Sequence, residues 1–188
     1  MLLNLFPSEV KLYANPLGNM FGNNTLMSYF DELEYFTNIT SLNNYCFRYS
    51  TIIGVRSSHI TNFGGQCLQQ CHYLRYAFFP SLTYLGSISL STSYPLKYIK
   101  LGQLTKNNNL TNSGYLNQNA VYIALYLTSI PSWVTDTNPT AIKKTSYLYV
   151  PDEFLDELKE SYAFNSIASK MRPLSELEAD AITNGWDY

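Results

Sequence analysis

The stretch GGQCLQQCHYL, Gly64 to Leu74, places Cys67 and Cys71 four residues apart, with His72 directly after the second thiol. Closely spaced thiolates followed by an imidazole are how many structural zinc sites are written, and a redox pair is the other chemistry such thiols could carry. A closed zinc site needs four ligands, and no second Cys or His pair completes it here. With His59 and His72 the only histidines there is no HExxH, and neither a GxSxG elbow nor a GxxxxGK[ST] phosphate loop occurs. Asp152, Glu153, Asp156 and Glu157 could supply the paired carboxylates of a glycosidase. They also follow Pro151, where acidic residues suit the positive end of a helix. The expectation is no catalytic residue, no metal and no cofactor, with Cys46, Cys67, Cys71 and Pro151 in structural roles.

Charge narrows the partners. The chain has 188 residues, a formal net charge of −2 and only 14% charged residues, so there is no basic field to hold a nucleic acid. Its polar surface must come from Asn, Ser, Thr and 17 tyrosines, a composition typical of extracellular or virion surfaces. Three cysteines are too few for a disulfide framework. The opening MLLNLFPSEVK lacks a basic start and is broken by Pro7, so it does not read as a signal peptide. No apolar run approaches the roughly 18 residues of a membrane span, and no membrane insertion is expected.

The elements that must position these residues repeat. ITSL, ITNF and LTYL, starting at Ile39, Ile60 and Leu82, share an aliphatic residue, a threonine and a large apolar residue, and LTKN at Leu104 keeps the first half; the steps are 21, 22 and 22. A second phrase, LEYF, IGVR, LRYA and LKYI from Leu33, Ile53, Leu74 and Leu96, steps by 20, 21 and 22. Apolar and polar residues alternate in it (Leu74, Tyr76 and Phe78 against Arg75 and Ala77), the signature of a strand with one buried face. A unit of about 20 residues cannot bury such a face alone, so successive strands are expected to stack in parallel as a solenoid, with the first phrase on the return side. Cys46 and Cys67 each lie seven residues after the first residue of the first phrase and share one rung; Cys71 shares another with Ser50 and Ser93, where a small side chain fits a tight inward turn.

Stacked strands present columns of side chains. In the second phrase the second positions are Glu34, Gly54, Arg75 and Lys97, and the fourth are Phe36, Arg56, Ala77 and Ile99. Arg56, Arg75 and Lys97, with Glu34 and Phe36 beside them, are the expected contact for an acidic protein or a surface glycan, and Tyr84, Tyr115 and Tyr126 add amphipathic area. AVYIALYLTSIP, with Val121, Ile123 and Leu125 alternating against Tyr122, Ala124 and Tyr126, reads as a last strand. Pro151 then opens a helix whose Phe154, Leu155 and Leu158 close the apolar end.

The unit ITNFGGQCLQQCHYLRYAFFPSLTYLG resembles the BspA-type leucine-rich repeat, with Gly64 and Gly86 at its glycine, Cys71 at its small position and Pro80 at its terminal proline. YVPDEFLDELKESYAFNSIASKMRPLSELE, from Tyr149, resembles the ending that closes such arrays in proteins of gut anaerobes and their phages. Residues 86–95 depart from the pattern in lacking its aromatic and cysteine, and KNNNLTNSGYLNQN reads as a protruding loop. The resemblance implies a mainly β leucine-rich-repeat solenoid with a short-stranded parallel sheet. It is divided into a cap or attachment segment (1–29), the array (30–135) and a C-terminal helical cap and tail (136–188). It further implies a non-enzymatic module for recognition, adhesion or assembly on a phage virion or bacterial surface, with other virion proteins among its partners. The rivals are a virion decoration or joining protein and an unrecognised hydrolase.

Overall fold

The computed structural model describes residues 21–91, 93, 95–105, 120–135 and 142–187. The Asn-rich loop with Tyr115, and the chain up to residue 20, lie outside the described residues.

Two parallel sheets enclose the main core. Through most of the chain, strands go alternately to one sheet and the other: β1 (Tyr29–Phe30), β3 (Gly54–Arg56), β5 (Tyr76–Phe79) and β7 (Tyr98–Leu101) to a larger sheet; β2 (Ser41–Leu42), β4 (Asn62–Phe63) and β6 (Tyr84–Leu85) to a smaller one. The larger sheet then continues through β8 (Tyr122–Leu125), β9 (Tyr147–Val150) and β10 (Met171–Pro173), all seven strands parallel and in chain order. Phe30, Val55, Ala77, Ile99, Ile123, Leu148 and Met171 stand in one register across it, all buried. Leu42, Phe63 and Leu85 face them from the smaller sheet, with Phe63 and Phe79 edge-on at 4.7 Å. Among the described residues no helix is long and apolar enough to cross a membrane.

Three expectations about the strands need correction. The first strand is at Tyr29, because Leu33 lies in a 3-10 turn, Asp31–Tyr35. Leu33, Phe36 and Ile39 all pack inward at a spacing of three, the period of that turn and not of a strand. The other strands start one or two residues after their phrases, since Leu74 closes the preceding turn by donating its N–H to Cys71 O at 3.1 Å. The alternation is thereby reset: Ala77 and Phe79 enter the main core, while Tyr76 and Phe78 face the opposite side. The sheet also does not end at Leu125; β9 and β10 carry it to residue 173, within the segment expected to be only a cap.

Between β2 and β3, and again between β4 and β5, the chain makes a double turn that buries its cysteines. Phe47 N–H donates to Cys67 O at 2.8 Å and Leu68 N–H to Ser89 O at 2.8 Å, which stacks Cys46 with Cys67 and Ser50 with Cys71. Tyr45, Tyr49, Gln66 and Gln70 adopt left-handed φ of 57–65° in these turns without being glycine, and Ile88, between β6 and β7, does so at 51°. The Cys71 sulfur lies 3.6 Å from Ser50 Oγ and 3.1 Å from Phe47 O, and Cys71 N–H donates to Ser93 Oγ at 3.2 Å.

Burial pushes the Cys71 thiol up to about 11 from its ordinary 9.0, and pushes Cys67 well up, with Cys46 adding to it. A thiol whose pKa is raised by folding contributes stability that is complete below its unfolded pKa and lost as pH rises through the folded one. Raising the pH from 9.0 to about 11 should thus remove about 2–3 kcal/mol through Cys71 alone, at about 1.4 kcal/mol per pKa unit. Urea midpoints across that window test this; Cys71→Ser should flatten the decline, and an equally steep variant would refute the assignment.

The C-terminal segment closes two surfaces. Pro151 precedes a turn, Asp152–Phe154, that runs into α1 (Leu155–Glu160), and Leu158, Phe164, Ile167 and Met171 complete the main core, Phe164 lying edge-on to Trp133 at 6.0 Å. The chain then crosses to the outer face of the larger sheet, where α2 (Leu177–Asn184) lays Leu177, followed by Trp186, on the tyrosines of β8 and β9.

Candidate functional site

The outer face of the larger sheet carries two columns, one residue per strand. One contains Tyr29, Gly54, Tyr76, Tyr98, Tyr122 and Tyr147; the other runs Arg56, Phe78, Lys100, Ala124, Tyr149 and Arg172. At the β8–β9 end these columns are covered. The Trp186 ring lies tilted 5.7 Å from that of Tyr122 and 5.4 Å from that of Tyr147; Tyr122 donates its hydroxyl to Asp187 O at 2.8 Å, and Tyr149 to Asp180 Oδ2 at 2.5 Å.

At the β3–β7 end the face opens into a cleft of about 470 Å³ between the sheet and the turn Asp31–Tyr35. Its floor is the row Arg56, Phe78 and Lys100, in register on three adjacent strands. Lys100 Nζ sits 4.7 Å from the centre of the Phe78 ring, a cation–π contact. Arg56 Nε pairs with Asp31 Oδ1 at 3.3 Å, and the same oxygen accepts the Tyr76 hydroxyl at 3.1 Å. Gly54 makes that bond possible: a Cβ there would fall 2.0 Å from the Tyr76 ring, so only glycine lets the ring lie across the neighbouring strand. Burial, and then the Asp31 carboxylate, push the Tyr76 hydroxyl pKa up. Burial, with Arg56 adding to it, holds the Lys100 ammonium pKa down; Glu178 on α2 works the other way.

The expected basic column is divided. Arg75 and Lys97 are backbone neighbours, Lys97 N–H donating to Arg75 O at 2.7 Å, but each precedes its strand and Arg75 pairs with Asp187 at 3.2 Å. Arg56 belongs three positions further along, beside Phe78 and Lys100. The unit from Leu74 carries one residue more before its strand than the unit from Ile53, and counting from the phrase slips the register, which moves side chains to another position on the face. Glu34 is engaged at the cleft wall: it accepts from Ser58 N–H at 2.6 Å and from the Ser58 hydroxyl, and lies 3.8 Å from His59 Nε2. Phe36 is half-buried and packs against the core, its ring 6.0 Å from Phe30.

Lys100, Asp31 and Phe78 were not singled out from the sequence. Lys100 had a signal: in YIK it follows Tyr98 by two, as Arg56 follows Gly54 by two, once the strand start is known. Tyr126 lines the cleft, while Tyr84 lies exposed on β6 in the other sheet. His72 is exposed, and the three buried thiols have no imidazole among them; among the described residues no group of three or more His, Cys, Asp or Glu is placed to hold a metal ion. No known family model matches the chain, and no curated protein is similar enough to count as a relative.

Proposed function

We propose that the chain is a leucine-rich-repeat solenoid of the BspA type, working without catalysis as a recognition module at a bacterial or phage virion surface, and that the cleft over Arg56, Phe78 and Lys100 is its contact site. Strands that alternate between two parallel sheets at a step near 22 residues support the architecture. The observation that carries the recognition reading is the row itself. Two cations on either side of a buried ring, at the base of an open cleft, form a charged and partly desolvated surface, which suits selective binding of an anionic partner.

The test is capture from a panel of bacterial surface polysaccharides and surface proteins, comparing the natural chain with Arg56→Glu/Lys100→Gln. Reversing Arg56 is expected to leave the fold intact, because its side chain is 53% exposed. Binding should fall by about tenfold or more, first through the association rate, as loss of a solvent-exposed contact charge such as Arg56 does. Equal capture by both chains would remove the cleft from the reading.

A further inference from the structure

We propose that the cleft takes a carboxylated sugar, a uronic or nonulosonic acid residue of a surface polysaccharide, its carboxylate between Arg56 and Lys100 and its hydroxyls donated to the acidic wall opposite. This rests on the cleft being the recognition site and names its ligand.

The two cations are held together at a cost. Strands about 4.8 Å apart place their backbones about 10 Å from each other, and Lys100 folds over the ring that separates them. Burial and Arg56 both disfavour the Lys100 charge, while among the groups that face it Glu178 favours it. An anion bound between them would relieve that repulsion, and in an open cleft the attraction weakens as salt is added.

The opposite wall decides which anion. Asp31, Glu32 and Glu34 line the same cleft, Asp31 holding Arg56 and Tyr76, and Glu34 holding Ser58. An acidic peptide or a phosphate backbone brings a negative charge with each unit and few hydroxyl donors to set against these three carboxylates. A sugar acid has one carboxylate and several hydroxyls on a single ring, and each hydroxyl can donate to a carboxylate oxygen. Tyr35, 52% exposed, and Tyr126 offer apolar faces for the ring's C–H groups. The volume of about 470 Å³ is of the size of small-molecule sites, which run from about 300 to 1,000 Å³.

Calorimetric titration of the full chain with trigalacturonic acid, an oligomer of sialic acid, the methyl ester of trigalacturonic acid and a short polyglutamate peptide tests the assignment. At least one acidic oligosaccharide should bind; for trigalacturonic acid, esterification should weaken binding by about tenfold or more, and added salt should weaken binding of either acid. Lys100→Gln and Arg56→Gln should each weaken binding about fivefold to tenfold with circular dichroism unchanged. Should Lys100→Gln fail to fold, Arg56→Gln at its exposed position is sufficient by itself to decide between the outcomes. Equal affinity for the ester and trigalacturonic acid, or binding indifferent to both substitutions, overturns the proposal. So does polyglutamate binding better than any sugar, or no acidic sugar binding while panel capture remains sensitive to Arg56→Glu/Lys100→Gln. Those last two results would leave the recognition site in place and change only its ligand, whereas capture indifferent to the double substitution would remove the site itself.

Discussion

Ending the chain after Val150 is expected to abolish the folded monomer. The lost segment brings Leu158, Phe164, Ile167 and Met171 into the main core, each 3% exposed or less. At about 1.5–3 kcal/mol for each fully buried large side chain, the four together supply about 6–12 kcal/mol, comparable to the whole net stability of a domain, about 5–15 kcal/mol. Truncation also strips β10 from β9, leaving Tyr147–Val150 as a bare strand edge that invites pairing between chains. Size-exclusion chromatography with light scattering should find aggregates or an expanded chain. A second truncation, after Pro173, separates the two surfaces that this segment closes. It keeps the four core residues and β10 but removes Leu177 and Trp186 from the tyrosines of the outer face. That chain should fold, bind a hydrophobic dye and self-associate. If the chain ending at Val150 stayed monomeric with an unchanged melting temperature, the closing role of the segment would be wrong.

What could be read in the sequence was the spacing. The phrases starting at Ile39, Ile60 and Leu82 contain the strands of the smaller sheet, and those starting at Ile53, Leu74 and Leu96 lead into strands of the larger one, because parallel neighbours must recur at nearly constant separation if their ladders are to stay in register. The pairing of Cys46 with Cys67 follows from the same constancy. The face each residue takes was less legible. Tyr76, Tyr98 and Tyr122 alternate with aliphatic residues as a one-sided strand does, but tyrosine suits either a core or a half-covered surface, and here it makes a second cluster under α2. The covering itself depends on contacts between residues far apart in the chain, such as Tyr122 with Asp187 and Arg75 with Asp187, which no local pattern encodes. Hence the expected basic column does not form one row: Arg56 stands beside Phe78 and Lys100 while Arg75 and Lys97 precede their strands, because of a one-residue difference between repeats and a 3-10 turn where a strand was expected.

Gly86→Ala should destabilise the protein severely, and Gly65→Ala hardly at all. A Cβ on Gly86 would fall 2.5 Å from the Gly64 carbonyl carbon, 2.6 Å from Gly64 O and 2.6 Å from Phe63 O. All three are backbone atoms of the preceding repeat and cannot swing aside. Gly64 stands in the same relation to the repeat before it, with its Cβ position 2.4 Å from Asn44 N. Neither glycine has a left-handed φ, so what these positions require is close approach between successive repeats and not a turn conformation. The approach is held by Gly86 N–H donating to Phe63 O at 2.9 Å and by Ser89 Oγ donating to Gly64 O at 2.8 Å and Gly86 O at 2.7 Å. Making room for a methyl group must stretch these bonds. The cost should reach the upper end of the about 1–3 kcal/mol of an overpacked core, with about 0.5–1.5 kcal/mol more for each hydrogen bond lost. At Gly65 the nearest atom to an added Cβ is Ser87 Oγ at 3.3 Å, the end of an exposed side chain that can rotate. Urea unfolding of the two variants measures the difference directly; equal midpoints would mean that the repeats can separate freely at Gly86, contrary to the packing described.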